Sequence, residues 1–128
     1  MKKALLLFAV IIALASCGKE SVQPNMFGTW ELRHVGGGWG ININHEAGNG
    51  DKYLFKSDST YTRYKDNKVE GQGNYSVKIL STENGYQHGS IYFSHLNYTD
   101  AFAFKPGSVV IGTSAADGPT YEYTRISR

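Results

Sequence analysis

A chain of 128 residues, with 13 Lys or Arg against 11 Asp or Glu, has room for one domain and lacks the basic excess that nucleic-acid binding favours. Its single cysteine, Cys17, excludes a disulfide framework and a thiolate metal site within one chain. Nine Tyr, six Phe and 15 Gly tilt the composition towards strands and tight turns.

The first element is a leader. Met1-Lys2-Lys3 is a short positive start, Ala4 to Ala15 is unbroken apolar sequence, and small residues precede Cys17. That order marks a secretion signal peptide, helical in its apolar part. The apolar run falls short of the roughly 20 residues a membrane-spanning helix needs. Its ending, Leu14-Ala15-Ser16-Cys17, resembles the bacterial lipobox. The resemblance implies cleavage before Cys17, a diacylglycerol on its sulfur and an acyl chain such as palmitate on the new amine. Each buried CH₂ of such an anchor contributes about 0.8 kcal/mol of membrane affinity.

The expected division is therefore residues 1–16 as signal peptide, 17–25 as lipidated tether and 26–128 as folded domain. The expected location is the bacterial cell envelope, on the outer membrane at its periplasmic or surface face. Lys2 and Lys3 leave with the leader, so the mature charge is close to zero.

From Met26 onward, short alternating segments separated by turn residues predict eight strands. The first covers Gly28–Val35, with Trp30, Leu32 and His34 on one face and Glu31 and Arg33 on the other. A glycine-rich loop, Gly36 to Asp51, follows. Lys52–Lys56 and Ser59–Lys65 form a hairpin around Ser57-Asp58, placing Tyr53 and Phe55 opposite Tyr61 and Arg63. The fourth strand, Gly71–Leu80, carries Tyr75, Val77 and Ile79 on one face, and the fifth is His88–Ser94. Tyr98–Lys105 places Phe102 and Phe104 together, and Pro106-Gly107 turns it into Ser108–Gly112. Asp117-Gly118-Pro119 leads into Thr120–Ser127, with Tyr121, Tyr123 and Arg125 on one face. Eight short strands with close connections predict an all-β, antiparallel up-and-down barrel, which removes exposed edges. A β-sandwich is the other arrangement compatible with the pattern.

Three segments resemble the small bacterial lipoprotein branch of the lipocalin superfamily. Phe27-Gly28-Thr29-Trp30 matches the Gly-X-Trp that opens strand one; Gly36-Gly37-Gly38-Trp39-Gly40 is similar to a Gly-Gly-hydrophobic-Gly loop. Asp117 through Ile126 resembles the ending in which Tyr-X-Arg closes the last strand. The resemblance implies that Gly28, Trp30 and Arg125 are structural, the guanidinium lying across the indole at the closed end of the barrel. It also implies that the first loop overhangs an open mouth. No helical pattern follows the last strand, and the short chain predicts a shallow cavity.

The four histidines, His34, His45, His88 and His95, show no close ligand pairing, and no nucleophile motif such as Gly-X-Ser-X-Gly occurs. Carboxylates fall mostly at turns (Asp51, Asp58, Asp66, Asp117) or on an outer face (Glu31, Glu122). Neither an enzyme nor a metal or cofactor is expected. Trp39 and Ile41 either line the mouth or pin the loop to the barrel. Phe55, Tyr61, Tyr75 and Tyr123 either line a ligand cavity or fill a solid core. The expected function is a monomeric, membrane-anchored barrel binding a small hydrophobic or amphipathic molecule. The alternative is a filled barrel acting as an interaction module for an envelope protein or glycan.

Overall fold

The computed structural model describes residues 23–112 and 118–128. The leader, Cys17 and the start of the tether lie outside the described residues, as does Asp117 of the last turn. The described residues form β1 (Gly28–Gly37), β2 (Ile41–Asn44), β3 (Lys52–Phe55), β4 (Thr60–Lys65), β5 (Lys68–Glu83), β6 (Tyr86–Phe93), β7 (Tyr98–Lys105), β8 (Ser108–Gly112) and β9 (Pro119–Ser127). From β3 to β9 each strand pairs antiparallel with the next, β3 pairs with β1, and β9 pairs back onto β1. The sheet is thereby a closed eight-stranded antiparallel barrel, and the sandwich alternative falls away.

The ninth strand comes from the segment expected to be loop. β2 pairs with His34–Gly37 and β3 with Gly28–Glu31, so the two lie end to end along one edge of β1. Backbone bonds from His45 N to Arg33 O (2.8 Å) and from Leu32 N to Asp51 O (2.9 Å) continue the ladder between them. β2 and β3 thus act as one barrel strand interrupted by the excursion around Gly48. Glu31 secures that excursion. It is on the outer face as expected, yet buried, because its Oε1 accepts from Gly48 N at 2.9 Å and pairs with Arg33. Burial works against its charge, but these donors outweigh that and hold its carboxyl below the usual range.

Local chemistry sets the connections. Asp66-Asn67 and Asn84-Gly85 both have two consecutive positive φ angles (53° and 63°; 53° and 80°), the two-residue hairpin turn whose twist matches its strands. Pro106 followed by Gly107 at φ 83° fits a type II turn. β5 runs longer than expected because the Asn-Gly turn comes only at its far end.

His34 does not face the interior. The register with β9 shifts between Leu32 and His34, and a bulge reverses which side chains point inward. Val35 becomes the buried residue, and the His34 ring nitrogen pairs outside with Asn42 Oδ1 at 2.7 Å.

The lower end, where β1 begins, is solid. Met26, Trp30, Phe55, Ile91 and Val109 are fully buried, with Phe102, Phe104 and Ile111 packed among them. Trp30 and Arg125 are direct partners across the seam closing the barrel; the guanidinium carbon is 4.5 Å from the indole centroid. Arg125 also donates to Asn25 O, and Trp30 Nε1 donates to Met26 O at 2.8 Å, so the entering chain is tied across the barrel floor. Gly28 makes that seam possible. Its φ is +120°, and a Cβ there would lie 2.2 Å from Ser127 O. Gly28→Ala is expected to cost about 2–4 kcal/mol, from backbone strain plus forced separation of β1 and β9. Urea denaturation checks this, and an unchanged midpoint would contradict the close approach.

Candidate functional site

The upper end opens. It is bounded by the β1–β2 turn, the Asp66-Asn67 turn, the loop between β6 and β7, and the upper ends of β8 at Gly112 and β9 at Pro119. In antiparallel pairs, residues directly opposite share a face. The pairing of Tyr53 with Arg63 and of Leu32 with Tyr123 turns these side chains inward, and ring contacts join Tyr53, Arg63 and Tyr123 in one layer at the top of the core. Two chambers flank that layer. One, about 260 Å³, is lined by Tyr53, Tyr61, Arg63, Phe93, His95 and Leu96, among others. The other, about 290 Å³, is lined by Asp51, Tyr53, Arg63, Asp100, Tyr121 and Tyr123, with Ile111 and Lys65. Tyr53 and Arg63 belong to both and divide them.

Aromatic packing sets the floor. The Tyr53 ring stacks on Phe55 (5.3 Å between centroids) and on Phe93 (5.5 Å), and meets Tyr123 edge-on at 5.2 Å. Tyr61 meets Phe93 edge-on at 4.9 Å. On the β5 side the wall is thinned by Gly71 and Gly73, which share a face with Tyr75. Side chains there would collide with His95 and Ser94; a Cβ on Gly73 would sit 2.7 Å from Ser94 Oγ. The two glycines let the β6–β7 loop fold inward over the first chamber.

Arg63 is the charged centre. Its NH1 pairs with Asp51, its Nε lies 3.5 Å from a Glu70 oxygen, and its guanidinium carbon is 4.7 Å from the Tyr53 centroid and 5.9 Å from that of Tyr123. Burial disfavours its charge, but the Asp51 carboxylate, and Tyr123 and Tyr53 where they ionise at high pH, outweigh that, and its pKa is raised. Burial also pushes the Tyr53 phenol up to about 12, despite the opposing pull of Arg63, and raises Tyr123. Both phenols are neutral at physiological pH. Asp100 faces the second chamber: it is opposite Ile91 and two residues before Phe102, both buried. Burial raises its pKa, partly offset by the Ala101 N–H that donates to it at 2.9 Å.

Of the residues expected to line a cavity, Tyr61 and Tyr123 do so. Phe55 sits deeper, in the packed core. Tyr75 packs edge-on against Phe55 at 4.8 Å and donates to Lys56 O at 3.3 Å, and it lines neither chamber. Trp39 is 95% exposed at the tip of the β1–β2 hairpin, and Ile41 is exposed beside it. Neither lines a chamber nor pins the hairpin down. Ile43 is opposite Val35, and Val35 is opposite Tyr121. The inward face of the hairpin thus continues the chamber wall upward from Tyr121 through Val35 and Ile43.

Four residues escaped the sequence reading. Arg63 and Asp100 were visible as charges on faces shared with Tyr61 and with Phe102, a pattern that signals a polar interior. Asp51 looked like a turn residue, and nothing local separates that role from its pairing with Arg63. Tyr53 shares a face with Phe55 in the sequence pattern, and nothing there distinguishes it as a chamber residue. Among the described residues, no three His, Cys, Asp or Glu side chains come together as a metal site would require. The chain matches no known protein family, and no characterised protein or solved structure is detectably similar to it.

Proposed function

We propose that this chain is a lipid-anchored envelope protein whose lipocalin-like barrel holds a small amphipathic molecule in its upper end, without catalysing a reaction. One observation carries the binding reading. The lower barrel is packed solid, yet the upper barrel keeps two chambers lined by aromatic rings and a few convergent charged groups. The first chamber has the mostly apolar walls and few placed polar groups typical of ligand sites, and the second is more polar. The lipocalin-like character is supported by Gly28 at the β1–β9 seam and by Arg125 over Trp30. The anchor is supported by the Leu14-Ala15-Ser16-Cys17 sequence alone.

Titration of the mature protein with an environment-sensitive amphiphilic dye tests the binding. Saturable emission at one site, weakened in a Gly71→Phe variant whose ring enters the first chamber, is expected. No saturable uptake would remove the binding reading. Intact mass measurement tests the anchor: a diacylglyceryl and acyl increment on Cys17, absent in Cys17→Ser, is expected, and an unmodified leader-bearing chain would overturn it. Exposed Trp39, Ile41 and Ile43 favour a second reading, in which the hairpin contacts another envelope protein or a glycan.

A further inference from the structure

The charges around the two chambers are unequally satisfied. Arg63 is engaged on two sides, by Asp51 and by Glu70, and it leans on the Tyr53 ring. An incoming anion would have to displace one of those carboxylates. Asp100 is in the opposite condition. No Lys or Arg among the described residues forms an ion pair with it, and the neighbouring Ala101 amide donates to it. Lys65 lines the same chamber, exposed and without an ion pair among the described residues. The second chamber holds two carboxylates, Asp51 and Asp100, and two cations, Arg63 and Lys65; Arg63 is taken up by Asp51 and by Glu70 of the first chamber.

Beside Asp51, Arg63 and Lys65, the lining of Asp100's chamber is three tyrosines and an isoleucine. Tyr53, Tyr121 and Tyr123 supply ring faces, and Ile111 supplies an apolar wall. A ring face attracts a cation most strongly where water is excluded. A carboxylate without a cationic partner beside neutral phenol rings is the chemistry that holds a protonated amine. The volume, about 290 Å³, is at the small end of ligand pockets.

We propose that this chamber takes a small protonated amine carried on an aromatic or compact apolar body, with Asp100 as its counter-ion and Tyr53, Tyr121 and Tyr123 around it. This deepens the binding reading above and rests on it. The ammonium sits against Asp100, its body lies between the tyrosine rings and Ile111, and any longer apolar part leaves along Val35 and Ile43. Burial of Asp100, which already disfavours its charge, makes the gain from an arriving cation larger.

The test uses the mature protein in nanodiscs, with empty nanodiscs as blank, and three probes of matched size: 2-phenylethylamine, 2-phenylethanol and 3-phenylpropanoate. Calorimetric titration at neutral pH is expected to show saturable binding of the amine, at least tenfold tighter than the alcohol, with the propanoate weaker still. Asp100→Asn should abolish that preference, bringing the amine to the alcohol's level, while the melting temperature holds or rises. Tyr121→Leu, at the rim, should weaken the amine several-fold and the alcohol less. If the propanoate or the alcohol binds as well as the amine, the cation assignment fails while the binding reading stands. An amine whose affinity is unchanged in a folded Asp100→Asn also overturns the assignment. If none of the three probes binds, both fail together. The comparison among probes on the unaltered protein does not depend on any variant folding.

Discussion

Trp30→Ala is expected to lower the stability of the barrel by about 3–5 kcal/mol, among the largest single losses this fold can show. The indole is 0% exposed and fills the floor where β1, β7 and β9 converge. Its removal leaves a cavity that close-packed neighbours can only partly collapse into. Three directional contacts go with the volume: Nε1 to Met26 O at 2.8 Å, the edge contact with Phe104 at 6.1 Å, and Arg125 at 4.5 Å. Arg125 already has a buried Nε without a hydrogen-bond partner, so loss of the ring removes its main compensation. Trp30→Phe keeps much of the apolar volume but leaves Met26 O unpaired, and about 1–3 kcal/mol is the expected cost. Trp39→Ala is the control, since a 95% exposed side chain should change stability by less than about 0.5 kcal/mol. For a domain of this size, Trp30→Ala should lower the melting temperature by roughly 10 °C or more. Equal midpoints for Trp30→Ala and Trp39→Ala would place Trp30 outside the core.

The eight barrel strands were legible because they rest on local signals, whereas the contact of Arg125 with Trp30 followed only from the lipocalin resemblance. Alternation over β4, β5, β7 and β9 fixes which side chains share a face, and Pro106-Gly107 and Asp66-Asn67 fix where the chain reverses. Two features were hidden for physical reasons. The bulge between Leu32 and His34 changes inward parity without altering composition, so a strict period of two carried His34 to the wrong side. The pairing of β2 with β1 depends on an unpaired edge left by β3 being only four residues long, and no glycine-rich sequence announces that. The site itself was half legible. Its rings followed from alternation, whereas the roles of Asp51 and Asp100 depend on neighbours distant in sequence: Arg63 on β4 and Tyr121 and Tyr123 on β9.

Arg63→Met carries the second large expectation, a loss of about 2–4 kcal/mol. Methionine approximates the length of the side chain and keeps its packing against Tyr53 and Tyr123, so the loss reports charge more than volume. What remains is Asp51, whose side chain is 20% exposed, beside Tyr53 and Tyr123 and with its cation gone. Breaking a buried pair from one side costs about 3–5 kcal/mol, and residual access to water brings the figure down here. Asp51→Asn should cost less, because Arg63 retains Glu70 at 3.5 Å. The double variant Asp51→Asn, Arg63→Met should then recover 1 kcal/mol or more of the loss, since contacting charges are not additive. Strict additivity in the double-mutant cycle would mean the two side chains do not act as a pair. The same variant separates architecture from recognition. Arg63 divides the chambers and holds Asp51, but the amine is assigned to Asp100, so Arg63→Met should retain a preference for the amine over its alcohol at temperatures where it remains folded. A preference lost in folded Arg63→Met would move the recognising charge from β7 to the Arg63–Asp51 pair.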